Sequence, residues 1–258
     1  MDHAEVLALF DQQLRLDAPA DSAHSLVERS GGVVRHVATD GAWNGVIWSG
    51  LDEDTADAEI AAQVRYFSAL GDEFEWKTYA HDRPADLGGR LLAAGFTAEP
   101  EETLMVARIG DLPTRVELPE GVRLHEVTDP AGVALVAEVH EQAFGTSSTR
   151  LHARLLAQLE QRPDTVSMTV AMAGDRPVCA ARMELYPGTE FAGLWGGGTL
   201  PAWRGKGIYR ALVAHRAALA AGLGYRYLQV DASDRSRPIL QRLGFAALSV
   251  TTPYLYTP

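Results

Sequence analysis

The strongest constraint on the fold is a strand that turns into a helix through a pair of glycines. Leu194–Leu200 reads as a strand, and Pro201-Ala202-Trp203-Arg204 interrupts it. Gly205 and Gly207 follow, then Ile208, Leu212, His215 or Arg216, and Leu219 at helical spacing, with stops at Gly222 and Gly224. Glycines two apart at such a join leave backbone N–H groups uncovered by side chains. Those amides and the positive end of the helix dipole make a pocket for an anion. The segment lacks the Gly-Lys-Ser/Thr of a Walker A loop and the third glycine of a dinucleotide fingerprint. The simpler reading is a plain strand-to-helix turn, which glycine often serves.

Strands and helices mix along the rest of the chain. Strands are expected at Val33–Val37, Val46–Trp48, Trp76–Ala80, Val122–Glu126, Tyr225–Val230 and Ala247–Tyr256. A hairpin turns at Gly174-Asp175 between Ser167–Ala173 and Val178–Leu185. Helices are expected at Ala56–Leu70, Leu87–Ala94, Pro130–Phe144, Leu151–Gln161, Gly205–Ala221 and Pro238–Leu243. This mixture predicts an α/β class with α+β character and a mixed sheet. The Pro- and Gly-bearing stretch Ile109–Gly121 reads as a linker, dividing the chain into residues 1–112 and 113–258. The halves share a pattern: His81–Phe96 and Val230–Phe245 have equal length, and Asp82, Leu91, Gly95 and Phe96 match Asp231, Leu240, Gly244 and Phe245. An ancient duplication is expected.

Composition excludes several classes. With 47% hydrophobic and 22% charged residues, the 258-residue chain can bury a core. Its apolar runs fall short of the roughly 18–20 residues of a membrane span, and the acidic start lacks a signal-peptide pattern, so a cytoplasmic protein is expected. A net charge of −11 argues against a nucleic-acid binder. The charge is uneven, however: −13 over residues 1–112, +2 over 113–258, and +6 within 204–242. That basic segment suggests a local polyanion site or a solvated helix face. The histidines show no metal-ligand spacing, so no metal is expected. Cys179 reads as a small core residue.

Arg204-Gly205-Lys206-Gly207-Ile208-Tyr209 resembles the acyl-CoA pyrophosphate loop of the GNAT N-acetyltransferase superfamily, and Thr199-Leu200-Pro201 and Tyr209-Arg-Ala-Leu-Val flank it suitably. Asp231–Phe245, ending Leu-Gly-Phe, resembles the superfamily's second motif. The similarity covers about residues 120–258. The first half resembles a decayed GNAT domain without a phosphate loop, so two tandem GNAT-like domains with one active half are implied. The resemblance implies a central mixed sheet flanked by helices, with acetyl-CoA or another acyl-CoA as cosubstrate. Pantetheine would lie where the Leu194–Leu200 strand splays from Tyr225–Val230, pairing with backbone near Thr199 and Leu200. The pyrophosphate would rest on amides of Gly205, Lys206, Gly207 and Tyr209. Ile208 belongs to the same loop, Arg204 and Arg210 add charge, and Ser233 and Ser236 lie near the cofactor, although both also suit helix caps. Two departures stand out. Tyr209 replaces the pattern's Gly or Ala, and Leu240 stands where the motif's proton-donating tyrosine falls.

An alkyl amine is mostly protonated at pH 7, and freeing it costs about 4–5 kcal/mol, so attack on a thioester needs a base or a water chain. Glu184 and Glu190 are the candidate bases, although the simpler reading of each is a surface carboxylate. Tyr209, Tyr254 and Tyr256 are candidate donors to the thiolate, although the simpler reading of each is core or rim packing. Trp195 and Trp203 suit an acceptor wall or the core. The leading expectation is an N-acyltransferase acting by direct attack of a primary, small-molecule amine on acetyl-CoA. The acidic first half points towards cationic acceptors. A non-catalytic acyl-CoA-binding regulatory module and a protein lysine acetyltransferase are the alternatives. Acceptor, acyl length and oligomeric state stay open.

Overall fold

The computed structural model describes residues 1–20, 25–38 and 43–258. In chain order the first elements are α1 (His3–Phe10), a π-helical continuation over Asp11–Leu16, β1 (Ser25–Ser30), β2 (Val33–Ala38) and β3 (Gly45–Ser49). Then come α2 (Ala56–Leu70), β4 (Phe74–Tyr79), α3 (Leu87–Ala93), β5 (Thr97–Ala98) and β6 (Glu102–Arg108). The second half holds β7 (Val122–Glu126), α4 (Pro130–Phe144), α5 (Thr149–Gln161), β8 (Val166–Ala173), β9 (Arg176–Leu185) and β10 (Phe191–Thr199). It closes with α6 (Ile208–Gly222), β11 (Tyr227–Ala232), α7 (Arg237–Arg242) and β12 (Ala246–Tyr256).

The expected elements α2, β7 and α4 coincide with the observed spans to the residue. Local chemistry explains α4: Asp129 accepts from the Gly132 amide, Pro130 sits in the first turn, and Gly145 stops the helix at φ +74°. Several elements escaped the sequence reading. The strand β6 is one, because Leu104–Ala107 is a continuous buried run without alternation. The others are α1, capped by Asp2, with its π-helical continuation, β1 and the two-residue β5.

The chain forms two compact units. The first contains Met1–Met105, Asp231–Ile239 and Ala246–Pro258; the second contains Val106–Val230 and Leu240–Phe245. The C-terminal strand, expected with the second domain, therefore belongs to the first unit. There β12 runs antiparallel to β4, pairing Tyr254 with Trp76 and Tyr256 with Phe74. Both tyrosine rings pack on the core of Phe67, Phe74, Trp76 and Phe96.

Each unit holds a mixed sheet flanked by helices. In the first, β1–β2–β3 are antiparallel, β3 and β4 are parallel across α2, and β12 is antiparallel to β4. In the second, β7–β8–β9–β10 are antiparallel, and β10 and β11 are parallel across α6. The matched helix stops are congruent as well. Gly95 and Gly244 have φ of +97° and +103°, and the amides of Phe96 and Phe245 donate to the carbonyls of Leu91 and Leu240. Asp82 accepts from Arg15, and Asp231 accepts from Lys77 at 2.6 Å, both within the first unit. The same crossover order and the same stop chemistry support the duplication.

Candidate functional site

The site of the second unit begins where a ladder ends. Phe191–Gly193 of β10 pairs with Tyr227–Gln229 of β11, and the pairing stops there. Beyond it, β10 continues beside β9 alone and bulges between Trp195 and Gly198. Glycines permit this path. Gly196 has φ +59°, a side chain at Gly197 would meet the Tyr209 ring at 2.7 Å, and one at Gly198 would meet Phe144 at 2.9 Å.

After the turn Pro201–Trp203, Gly205 and Gly207 adopt φ of +76° and +82° and lead into α6. A Cβ at Gly205 would meet nothing within 4 Å, and one at Gly207 would approach only the Arg210 guanidinium, at 3.7 Å. No side chain caps α6. The amides of Gly205, Lys206, Gly207, Ile208 and Tyr209 donate to no protein acceptor among the described residues. Open donors at the positive end of a 15-residue helix suit an anion. The corresponding join in the first unit, β3 to α2, differs: the Asp52 carboxylate accepts from the amides of Asp54 and Thr55 and so occupies that end with its own negative charge.

The loop cations divide by role. Arg204 donates to Thr199 O at 3.1 Å and to Ala143 O at 3.2 Å, tying the loop to β10 and the end of α4. Lys206 lies 4.5 Å from the Trp203 ring, and Arg210 lies 3.9 Å from Glu117, both at the surface. Ile208 is buried and anchors α6 under β9. The Leu200 amide is committed to Val178 O, so alternation turns the backbone of Thr199 to the side away from β9. Not all the basic segment serves an anion site. Arg216 is 1% exposed and donates to Leu212 O and Arg182 O, and Arg226 pairs with Glu190.

The candidate acids and bases are not brought together. Glu184 lies on β9 opposite Gly193, where the β10–β11 ladder ends, and is bonded to Arg182 at 3.2 Å. Glu190 precedes β10, at the closed end of the β10–β11 pair, where its carbonyl accepts from Arg226 and Tyr227. The Tyr209 ring covers Gly197, and burial raises its phenol above the ordinary value. Tyr254 and Tyr256 are built into the first unit's core, with the Tyr256 ring 5.1 Å from that of Phe96. Ser233 and Ser236 bond each other at 3.3 Å in the turn before α7. Leu240 is 0% exposed. Two residues of this site went unnoticed in the sequence. Arg182 is buried on β9, and His140, on the last turns of α4, packs against Phe144 with the rings tilted by 45°. Burial holds the His140 imidazole below its ordinary pKa, and the charge of Arg182 adds to the effect. No periodic or motif signal marks either one.

The family model described as Acetyltransferase (GNAT) family matches residues 129–245. This chain carries a GNAT acetyltransferase domain. Its fold extends the similarity over both units. A GCN5-related N-acetyltransferase from Kribbella flavida is 18% identical, with TM-score 0.70, covering 100% of this chain and 96% of that one. A tandem GNAT protein from the clavulanic acid biosynthesis pathway is 14% identical, with TM-score 0.62, over 92% of this chain and 84% of that one. A GCN5-related N-acetyltransferase from Sphaerobacter thermophilus is 14% identical, with TM-score 0.59, over 98% and 84%. No curated protein sequence matches the chain. Among the described residues no helix is long and apolar enough to cross a membrane, and no cluster of side chains has the make-up of a metal site.

Proposed function

We propose that the GNAT domain of this chain is an acyl-CoA-dependent N-acyltransferase that moves an acetyl group to a primary amine of a small molecule. One observation carries the reading. The β10–β11 ladder opens after Gly193, and the chain leads from there into an uncapped helix start with two open glycines. That arrangement fits an acyl-CoA. Gly205, Lys206, Gly207 and Tyr209 would donate amides to the pyrophosphate, with Lys206, Arg210 and a swung-out Arg204 supplying charge. Backbone at Thr199 would pair with the pantetheine arm. The bound cosubstrate supplies an activated acyl thioester.

The acceptor must lose one proton before it attacks and a second as the C–N bond forms and the C–S bond breaks. His140 is neutral near pH 7, because burial lowers its pKa, and so is able to receive the first. The second goes to the departing thiolate. The Tyr209 ring lies against Gly197 in the glycine bulge. The self-capped join at Asp52 and the missing glycine pair support a first unit without cosubstrate affinity.

A second reading, an acyl-CoA-binding regulatory module without catalysis, is favoured by Leu240, which is buried where a donor tyrosine is expected. Calorimetry with acetyl-CoA, followed by mass spectrometry of an amine panel incubated with it, tests both. Micromolar binding with an acetylated amine supports the transferase. Binding with no product across the panel supports the module, and no binding removes both.

A further inference from the structure

The face of the second unit's sheet covered by α4 carries a charged cluster beside the bulge. Arg182 stands opposite Trp195 in the β9–β10 register and is 9% exposed. Its Nε donates to Glu184 Oε1 at 3.2 Å, and Arg154 lies 3.7 Å from the same oxygen. Tyr186 donates to Glu184 Oε2 at 3.5 Å and accepts from Trp195 Nε1 at 3.3 Å. Glu184 therefore grips Arg182 by one edge of its fork only. The two Nη groups have no hydrogen bond to protein among the described residues. Nη1 lies 3.8 Å from where a Cβ on Gly196 would stand, beside the bulge.

The charges do not balance locally, since Arg182 and Arg154 share the single carboxylate of Glu184. A buried ion pair serving only stability is expected to offer both oxygens to the fork, because an uncompensated buried charge is costly. Here the fork is fixed at Nε and left open at Nη, the arrangement that receives a second carboxylate in bidentate fashion. Burial, the largest influence, and the neighbouring Arg154 press the guanidinium below its ordinary pKa despite Glu184, in keeping with the shortage of negative charge.

We infer that the acceptor amine carries a carboxylate in the same small molecule, and that Arg182 binds that carboxylate while Glu184 and Tyr186 position Arg182. This rests on the transferase reading and adds the acceptor class to it. It also reverses what net charge suggested. The −13 of residues 1–112 favours cations, but exposed charges are screened within about 10 Å in ordinary salt. A buried guanidinium in contact with its ligand is screened far less. Glu184 is then a positioning residue and not a base.

The test reads binding separately from turnover. A panel of N-acetyl amino acids, each paired with its amide, is titrated against the acetyl-CoA-free protein by ligand-observed NMR. At least one acid is expected to bind tenfold or more tightly than its amide. Arg182→Gln is expected to abolish that difference and Arg182→Lys to restore part of it. Equal binding within every pair, or binding of none, overturns the proposal, and the wild-type comparison decides this even if the variants do not fold. An acid preference that persists in Arg182→Gln overturns it too. If acids bind selectively but the free amino acids are never acetylated, the anion site stands and the transferase reading falls.

Discussion

Gly205→Ala separates the phosphate cradle from the fold. Gly205 has φ +76° and a Cβ there meets nothing within 4 Å, so the substitution strains only the backbone. Left-handed backbone costs an alanine roughly 1–2 kcal/mol, a few degrees of melting temperature for a chain of this size. The new methyl stands on the open side of the loop, where bound phosphate oxygens would lie. A hydrogen bond to a charged group contributes roughly 1.5–3 kcal/mol, so loss of one weakens acetyl-CoA binding about 10- to 150-fold. Gly174→Ala is the matched control. Its φ is +60°, its Cβ is equally unopposed, and it lies in the β8–β9 turn. Titration and scanning calorimetry on the same samples should show similar melting losses in both variants, with weakened binding only in Gly205→Ala. Binding within threefold of wild type in Gly205→Ala, or equal weakening in Gly174→Ala, would refute the cradle.

Three other outcomes are expected. Lys77→Met strands the buried Asp231 carboxylate and should destabilise by about 3–5 kcal/mol in urea unfolding, with much of the loss recovered when Asp231→Asn is added. His140 and His215 are both held below pKa 6.5, chiefly by burial. The unfolded chain then binds more protons, so stability is full above pH 6.5 and declines as pH falls through that value; His140→Gln and His215→Gln should flatten the decline in denaturation midpoints measured from pH 8 to 5. Burial pushes the Cys179 thiol up to about 11. Iodoacetamide at pH 7.5 should therefore leave it unmodified in the native protein and alkylate it in urea, as read by intact mass.

Local signals made part of this protein readable from its residues. The glycine pair at 205 and 207, the stripe of α6 and the span of α4 are short-range chemistry, and each appears where the sequence indicates. The repeated stop at Gly95-Phe96 and Gly244-Phe245 has the same basis, since a positive φ and one amide-to-carbonyl bond need only neighbours. The placement of single polar residues was not readable. Arg216 looks like one more cation in a basic segment, yet it is 1% exposed and donates to a carbonyl of β9. Glu184 and Glu190 look alike as carboxylates near strand ends, but one lies opposite Gly193, where the parallel β10–β11 pair opens, and the other at the closed end of that pair.

The sequence by itself determined most of the element types, the glycine-bearing join of β10 to α6 and the motifs that resemble GNAT, because all of these depend on contacts within a few residues. Only the tertiary structure decided that β12 pairs with β4, that Tyr254 and Tyr256 belong to the first unit's core, and that Arg182 reaches the bulge with its Nη groups unbonded. Strand partnership and the burial of a lone charge arise from segments far apart in the chain. Nothing in the local period of hydrophobicity encodes which distant edge a strand will meet.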